Sequence, residues 1–442
     1  MLNSLTDFNK SFSAIDLAGR TCAVVAVSGG GDSLALLFLL HDYVKQHSDI
    51  ELDLLAVTVD HGLRSEAADE ARQVAALCAR SGIRHRTMKW QTTKPLTGIP
   101  EAGREARQHL LAEAALDAGT DLVFLAHTAD DQAETTHMRM ARGGGRGLAG
   151  IAPATLYGDR VWFIRPLLEA RRSELRNFLD ARSVRWIDDP TNIDLHYERA
   201  RVRQSLNEDD ISRLLGIATV AGETRERLGA AVADAMREHV RRCSPGLLRL
   251  SKASLQDMPR DAAIYLMRIV LAIAGGAQHL PDQERAAELL EQMLRGSRRA
   301  TLSRAVVSSH RDRLYLYREH RNLPRQHSCD GLLWDRRYRV SAAPLGLDFS
   351  IAAIGEEAAL QVELADCDIP NSVARAALAA EPALWHGDEL VQKTIAQIEW
   401  TPVMGPWATL IPSFDYEPAS AMSVVLGCGK LPERPWRRHK QG

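Results

Sequence analysis

The sequence offers no cysteine arrangement that would suggest a zinc ribbon or a disulfide framework. Its six cysteines are scattered over 442 residues without a Cys-x-x-Cys pair, which is typical of a reduced, cytoplasmic protein. It has no run of 18 uncharged apolar residues, and its first twenty residues contain no basic start followed by an apolar core. We therefore expect a chain that is neither secreted nor membrane-spanning.

The composition is that of an ordinary folded protein with one local imbalance. Hydrophobic residues make up 45% and charged residues 25% of a chain with a formal net charge of -2, which excludes a surface coated in basic residues. From Arg139 to Arg203, however, thirteen arginines and no lysine stand against eight acidic residues. Composition alone favours solvated arginines paired with neighbouring carboxylates. The alternative is a surface that holds phosphates.

The length of 442 residues suggests two or three domains. Residues 1–205 alternate short apolar strands with helical stretches, which predicts an α/β domain with a parallel sheet and helices on both faces. Residues 206–320 have a mainly helical pattern that closes with a β-like segment, and residues 321–442 indicate a small β-rich or mixed domain. We predict three domains with these bounds.

Three polar segments of the α/β region directly follow predicted strands. They are Ser28–Ser33, Asp60–His61 and His127–Glu134. Ligands of open parallel sheets bind at the carboxyl ends of the strands, which is where these segments are expected. Helices are predicted from Glu66 to Arg80 and from about Asp130 onward.

The first segment belongs to "VVAVSGGGDSLALL" (24–37), which predicts a strand, a glycine turn and a helix. Such a turn lets backbone N–H groups converge on a phosphate, and the hydroxyls of Ser28 and Ser33 can add hydrogen bonds. A Walker A loop would carry a lysine where this chain has Asp32. A carboxylate repels phosphates unless a divalent cation lies between them, so we expect Asp32 to face Mg²⁺ or a second substrate. It can also cap the helix, and neither interpretation excludes the other.

The segment "LAHTADDQAET" (125–135) places Asp131 and Glu134 on one helical face. Two close carboxylates cost stability unless they share a cation, which favours a metal or an amine-bearing substrate. Helix capping by Asp130 and other acids of the first turn is an equally weighted alternative. A lone His127 is more often structural than catalytic, and Asp60–His61 has the same ambiguity.

The glycines near residue 145 match the residue pattern of a dinucleotide-binding motif but not its structural context. "GRGLAG" (145–150) follows a helical stretch and not a strand, so the context that a GxGxxG fingerprint requires is missing. A hinge or backbone-binding loop flanked by Arg142 and Arg146 is the better interpretation.

Together these segments carry a family resemblance. The SGGGDS loop resembles the PP-loop of N-type ATP pyrophosphatases, which cleave ATP between its α- and β-phosphates. The motif set from about residue 22 to 203 resembles that of the tRNA(Ile)-lysidine synthetase family: "VDHGLR", "LAHTADDQAET", "RGGGRGLAG", "IRPLLEARRSEL" and "WIDDPTNIDLHYERARVR". Further on, "LWDRRYRV" (333–340) is similar to the opening of the C-terminal domain in the long form of that family. "GREARQ" (103–108) departs from the family pattern because it keeps Arg104 and Arg107 but lacks the aromatic residue that usually follows.

The resemblance implies a tRNA-modifying ligase that uses ATP and Mg²⁺. The wobble cytidine of the CAU anticodon of tRNA(Ile) would be adenylated with release of pyrophosphate, and free L-lysine would then displace AMP to give lysidine. A PP-loop enzyme that thiolates tRNA, a PP-loop amide ligase and an inactive RNA-binding protein are the alternatives. The oligomeric state is left open, with a homodimer among the options.

The resemblance also assigns roles by matching position. ATP and its Mg²⁺ would be held by the loop and the next strand end: Ser28, Gly29, Gly30, Gly31, Asp32, Ser33, Asp60 and His61. The catalytic centre would comprise Asp32, Arg104, His127 and Asp130. Asp131 and Glu134 would bind the lysine amine. The candidates for tRNA phosphates are Arg142, Arg146, Arg199, Arg201 and Arg203, so with the family in view the phosphate-binding interpretation of the arginines is preferred. Asp32 is the candidate contact for Mg²⁺.

Overall fold

The Val-rich segment that precedes the glycine turn is a central strand of a parallel sheet. The computed structural model describes residues 3–62, 67–92, 94–95, 97–188, 194–327, 331–342, 348–362, 368–391 and 398–436. All five residues of the strand Cys22–Ala26 are buried. A parallel strand buried in this way is covered on both faces of its sheet.

Six strands of the N-terminal region belong to this sheet: β1 Cys22–Ala26, β2 Asp53–Asp60, β3 Arg84–Lys89, β4 Leu122–Phe124, β5 Ala154–Tyr157 and β6 Val161–Ile164. They are hydrogen-bonded in the order β5-β6-β4-β1-β2-β3. Every neighbouring pair is parallel except β5 and β6, which are antiparallel. The α/β fold predicted from the alternation of strands and helices is confirmed.

Helices flank the sheet and connect its strands: α1 Asn3–Ser13, α2 Gly31–Gln46, α3 Ala67–Arg80, α4 Ile99–Asp117, α5 Ala129–Ala141, α6 Arg172–Ala181, α7 Glu198–Ser205 and α8 Glu208–His239. Leu111 and Ala115 of α4 pack with Val24, Val57 and Val123 in one apolar cluster of the core. The helix predicted from Glu66 is described from Ala67, because Glu66 lies outside the described residues.

The register of the central strands brings the polar segments to one edge. Ala26 of β1 pairs with Val57 of β2, and Val25 pairs with Phe124 of β4. The residues that follow β1, β2 and β4 therefore emerge at the same carboxyl edge of the sheet, where open α/β sheets bind ligands.

The C-terminal half contains smaller antiparallel sheets and six helices among the described residues. Its helices are α9 Lys252–Asp257, α10 Arg260–Gly275, α11 Gln283–Leu294, α12 Glu356–Gln361, α13 Asn371–Ala379 and α14 Tyr416–Leu426. Its strands are β7 Arg241–Ser244, β8 Leu247–Ser251, β9 Arg299–Leu302, β10 Ala305–His310, β11 Arg313–Arg318, β12 Gln326–His327, β13 Leu333–Trp334, β14 Tyr338–Ala342, β15 Phe349–Ala353, β16 Pro382–His386, β17 Glu389–Leu390, β18 Ile398–Pro402 and β19 Leu410–Pro412.

The twelve strands β7 to β18 form three sheets, in the orders β7-β8-β11-β10-β9, β12-β15-β16-β17 and β13-β14-β18. The strands β7 and β8 were not indicated by the sequence pattern, which is helical up to that point.

By its internal contacts the chain divides into two compact units. The first comprises Met1–Arg225, Pro412–Phe414 and Pro432–Gly442, and the second comprises Glu226–Ile411 and Asp415–Leu431. The division into three domains at residues 205 and 320 stays a prediction. Within the described ranges, none of the helices combines the length and apolar character needed to cross a bilayer.

Candidate active site

Hydrogen bonds of Ser33 fix the glycine turn at the start of α2. Its hydroxyl donates to the carbonyl oxygen of Gly30 at 2.9 Å and accepts from the backbone N–H of Ser28 at 3.1 Å. Gly30 is the N-cap of α2 and has no side chain with which to cap the helix. The helix N-terminus can therefore receive an anion from outside, while Ser33 is engaged within the turn.

The turn requires glycine most strictly at Gly29. Its φ of +84° lies in the left-handed region, and a Cβ there would lie 3.0 Å from Cδ1 of Ile187. The backbone N–H of Ile187 donates to the Gly29 carbonyl oxygen at 3.0 Å. At Gly30 the nearest atom to an added Cβ is the Ser28 hydroxyl oxygen at 3.4 Å, and at Gly31 it is a ring carbon of Trp186 at 3.4 Å.

A cavity of about 420 Å³ opens where β1 and β2 end. Its lining combines loop atoms with side chains from the following strand and from α4: Ser28, Gly30, Thr58, His61, Arg107 and Ile187 are among them. A volume of this order fits a nucleotide-sized ligand. The predicted ATP residues Ser28, Gly30 and His61 thus lie around one cavity.

Asp60 and His61 have different surroundings. The Asp60 carboxylate accepts from the backbone N–H of Gly62 at 2.8 Å and so stabilises the turn after β2. The imidazole of His61 lies edge-on to Trp90, and its buried Nδ1 has no hydrogen-bond partner. Burial, assisted by the charge of Arg107, lowers the pKa of His61. The neutral ring is therefore available to a ligand in the cavity.

A cationic group without acidic partners lies beside the cavity. Arg165 donates to the carbonyl oxygen of Ala152 at 2.9 Å and to the Thr155 hydroxyl at 3.0 Å, but its buried Nε has no partner. Burial and the neighbouring charge of Arg107 lower the pKa of Arg165 to about 10. Burial also lowers the pKa of Arg107. Neither arginine is paired with a carboxylate of the described residues, so a bound anion would be stabilised here.

His127 is surrounded by this positive charge. Burial, followed by the charges of Arg165, Arg107, Arg199 and Arg104, lowers the pKa of His127 well below its ordinary value. Its Nδ1 is buried without a hydrogen-bond partner. Arg104 is exposed, has no carboxylate partner in the described part of the chain and is among the arginines that act on His127. Arg104 thus contributes to the positive surroundings of His127, and a shared catalytic role of the two residues stays a prediction.

Three carboxylates and three arginines form a second group, called here the ion-pair cluster: Asp32, Asp131, Glu134, Arg172, Arg199 and Arg203. Its formal charges cancel. The carboxylates come from the glycine turn and from α5, whereas the arginines come from α6 and α7.

Glu134 is the most buried member, with a side chain that is 2% exposed. It accepts from Arg199 Nε at 2.7 Å and from Arg203 Nε at 2.7 Å. Arg199 also donates to Asp131 at 2.9 Å. The two carboxylates predicted to share a cation do share cations, but these are arginines of the same chain. Binding of the lysine amine here stays a prediction, and it requires an exchange of partners.

Asp131 serves two functions at once. One of its oxygens accepts from the backbone N–H and the hydroxyl of Thr128, both at 2.9 Å, which completes a capping box at the start of α5. The other oxygen accepts from Arg199 and Arg172. The capping interpretation therefore does not exclude a role in ligand binding, which stays a prediction.

Asp130, the residue before Asp131, holds the start of α6. It accepts from the backbone N–H of Arg172 at 2.7 Å and from Nη2 of Arg171 at 3.1 Å. Burial alone would raise the pKa of Asp130, but these hydrogen bonds lower it below its ordinary value. The structure thus separates the two adjacent aspartates, which the sequence could not do.

The arginines predicted to contact tRNA differ in their hydrogen-bond and ion-pair partners. Arg199 and Arg203 belong to the ion-pair cluster. Arg201 donates to the carbonyl oxygens of Leu195 and His196, at 2.7 and 2.9 Å. The remaining two lie near the end of α5: Arg142 pairs with Glu198, and Arg146 is in the 3₁₀ turn Gly145–Ala149. Their contacts with tRNA stay a prediction.

A metal could be held here only with help from a ligand. Across the described ranges, no group of three or more His, Cys, Asp or Glu side chains could hold a metal ion. Mg²⁺ in nucleotide sites commonly takes one or two carboxylates together with substrate phosphates. Asp32 fits that role, because its carboxyl group follows the glycine turn. Burial raises the pKa of Asp32 against the opposing effect of Arg172, so a bound cation would favour the charged carboxylate.

Sequence reasoning missed three arginines of this region: Arg165, Arg171 and Arg172. They lie in "IRPLLEARRSEL", a motif whose sequence alone assigns no residue roles. The usable signal was that this segment follows a strand at the ligand edge of the sheet, as the other polar segments do.

Comparisons with known proteins find similar proteins over nearly the whole chain. Residues 3–210 match the PP-loop domain family. A tRNA(Ile)-lysidine synthase of Mesorhizobium japonicum is 45% identical over 99% of this chain and 99% of its own length. The protein of the same name in Rhizobium meliloti is 36% identical over 93% of each chain. A solved U34-tRNA thiolase of Methanococcus maripaludis is 20% identical and covers 50% of this chain and 78% of its own, with a TM-score of 0.42.

Proposed function

The chain belongs to the tRNA(Ile)-lysidine synthase family, and we propose that it joins free L-lysine to the wobble cytidine of the CAU anticodon of tRNA(Ile). ATP is consumed, and AMP and pyrophosphate are released. The observation that carries this proposal at the site is that Asp32 of the nucleotide loop and the acidic pair Asp131 and Glu134 are joined in one ion-pair cluster. The proposed phosphate site and the proposed amine site are therefore neighbours.

In the first step the ring carbonyl oxygen of the cytidine would attack the α-phosphorus of ATP. The cavity beside Thr58 and His61 offers room for the adenosine, and the N-terminus of α2 offers N–H groups to the phosphates. Arg104 and Arg107 would offset the charge that develops on the phosphates. Mg²⁺ held by Asp32 would supply further charge stabilisation when bound.

In the second step the ε-amine of lysine would attack the activated carbon of the cytidine, and AMP would leave. Asp131 and Glu134 would bind the ammonium group, since both already hold cations. The amine has to lose a proton before it can attack. His127 is the candidate acceptor because its buried Nδ1 has no hydrogen-bond partner. Its lowered pKa makes it a weak base, so it would hold the proton only transiently.

A thiolation reaction is disfavoured by the cysteines of the first unit. Sulfur transfer needs a thiolate near the strand ends. Burial raises the pKa of Cys78 to about 11, and burial also raises the pKa of Cys22. Cys22 is the first residue of β1 and therefore lies at the opposite edge of the sheet from the glycine turn. Neither thiol is placed or activated for that chemistry.

Incubation with ATP, radiolabelled lysine and total bacterial tRNA tests the proposal. We expect label in the RNA that depends on ATP, and its loss in the Asp32→Ala and Glu134→Ala variants. ATP turnover that is complete without RNA would favour an amide ligase acting on a small metabolite instead. Labelled RNA in both variants would show that the site is wrongly assigned.

A further inference from the structure

Arg172 is the side chain that joins the nucleotide loop to the acidic pair. Its Nε donates to Asp32 at 3.1 Å, and its Nη2 donates to Asp131 at 3.2 Å. Its Nη1 lies 3.6 Å from Glu134. Among the described residues no other side chain contacts both Asp32 and the pair on α5.

Both the backbone and the side chain of Arg172 are held in place. It is the first residue of α6, and its backbone N–H donates to Asp130 at 2.7 Å. Its side chain is 16% exposed, whereas those of Arg199 and Arg203 are 35% and 31% exposed. Buried Leu175 and Leu179 anchor the rest of the helix. Arg172 is therefore the least free of the three arginines in the ion-pair cluster.

The geometry requires more than a positive charge. Each of the three guanidinium nitrogens of Arg172 faces a different carboxylate, on Asp32, Asp131 and Glu134. A planar fork can hold three acceptors in fixed directions, whereas a lysine ammonium is a compact charge on a flexible stem. A residue that only neutralised buried acids would not need this arrangement.

We propose that Arg172 is a positioning residue that sets the relative placement of the nucleotide-side carboxylate and the amine-side pair, so that adenylation and lysine transfer take place in one arrangement. This inference rests on the proposed function. A displacement of about 1 Å between reacting groups is enough to slow a reaction by about 100-fold. The effect of losing Arg172 is accordingly expected in the rate of lysine transfer.

Arg172 also competes with the substrate amine. It contributes one of the three positive charges that face Asp131 and Glu134. Without it the ion-pair cluster would carry one net negative charge, which attracts an ammonium group. Removal of the arginine should therefore lower the KM for lysine while it lowers kcat, and loss of structure alone does not produce that combination.

The test compares Arg172→Met and Arg172→Lys in the full-length enzyme with tRNA(Ile). For Arg172→Met we expect kcat of lysine transfer to fall by about 100-fold and the KM for lysine to fall severalfold. For Arg172→Lys the charge returns without the fork, so KM should return to the wild-type value while kcat stays low. The matched control is Arg182→Met, at the other end of α6, where the arginine pairs with Asp42.

Two results would overturn the inference. If Arg172→Lys restored both kcat and KM, Arg172 would be only a neutralising charge. If Arg172→Met kept the wild-type kcat, it would have no positioning role. A wild-type enzyme that incorporates no lysine would instead refute the proposed function, and the role of Arg172 with it. Should Arg172→Met fail to fold, Arg172→Lys alone still decides between a fork and a charge.

Discussion

Arg203 and Glu134 are joined by two side-by-side hydrogen bonds, from Nε to Oε1 at 2.7 Å and from Nη2 to Oε2 at 3.3 Å. The Glu134 carboxylate is almost fully buried and also accepts from Arg199. A buried carboxylate with this many donors is held in one orientation. The site that we propose for the substrate amine is therefore shaped in advance, and the amine has to replace an arginine there.

Glu134→Gln should weaken the binding of lysine and leave adenylation largely intact. The amide keeps the size of the side chain but loses its charge, and a hydrogen bond to a charged group is worth about 1.5–3 kcal/mol. We expect the KM for lysine to rise by roughly 10- to 150-fold. The measurement is a lysine titration of RNA labelling, together with pyrophosphate release in the absence of lysine. An unchanged KM would place the amine elsewhere.

Gly29→Ala and Gly30→Ala should separate the folding of the glycine turn from its binding of ATP. Gly29 has a positive φ and no room for a Cβ beside Ile187, whereas Gly30 has an ordinary extended backbone. A left-handed conformation costs about 1–2 kcal/mol for a residue with a Cβ. We expect Gly29→Ala to lower the free energy of unfolding by at least about that amount.

Gly30→Ala is the matched variant for that comparison. It should leave the free energy of unfolding nearly unchanged but weaken the binding of ATP, because the added methyl group would face the cavity beside Ser28. Urea unfolding and ATP titration of both variants measure the two effects. Equal destabilisation by the two substitutions would contradict the assignment of the strain to Gly29.

The fold could be predicted from local patterns, because the alternation of apolar strands and helices in residues 1–205 reflects the burial of each strand. The same holds for the glycine turn and for the placement of Asp131 and Glu134 on one face of α5. The arginines that neutralise this pair could not be found in this way. Arg199 and Arg203 lie 65 and 69 positions beyond Glu134, and no local periodicity reports a contact over that separation.

Contacts between residues distant in sequence also explain why charged residues of "LWDRRYRV" (333–340), in the second unit, are buried. Asp335 accepts from Arg318 Nε at 3.0 Å and from Arg337 Nε at 2.9 Å. Glu381 accepts from Arg337 and from the Tyr338 hydroxyl. All five side chains are buried. In sequence this segment is strongly charged and resembles a surface, and only the partners brought by folding turn it into a core.

Arg107→Met should make the protein more stable and less able to bind ATP. The guanidinium is desolvated and has no carboxylate partner in the described ranges, so its burial costs free energy. We expect the free energy of unfolding to rise by about 0.5–2 kcal/mol, as when a functional site is relieved of strain. Thermal unfolding with and without ATP measures both effects, since bound ATP should raise the melting temperature less in the variant.

Arg104→Met is the comparison for Arg107. Arg104 is exposed, so its replacement should change stability little. If Arg107→Met were clearly destabilising, the guanidinium would have a partner that offsets its desolvation, and the anion-binding interpretation of this region would be wrong.

His127 should make the stability of the protein fall as the pH falls. In the folded protein its pKa is lowered by burial and by surrounding arginines, whereas in the unfolded chain it titrates near its ordinary value of about 6.5. Below that pH the unfolded state binds one proton more than the folded state, and each pH unit then costs about 1.4 kcal/mol. The loss begins as the pH drops through the unfolded-state value.

The measurement compares urea unfolding of the wild type and of His127→Gln between pH 8 and pH 5. Other histidines with lowered pKa values, His41, His61 and His85, are present in both proteins and cancel in the difference. The difference in the free energy of unfolding between the wild type and His127→Gln should therefore change by about 1.4 kcal/mol for each pH unit below about 6. Parallel stability curves would mean that His127 takes up its proton over the same pH range in the folded protein as in the unfolded chain, which would contradict a pKa lowered by burial among arginines.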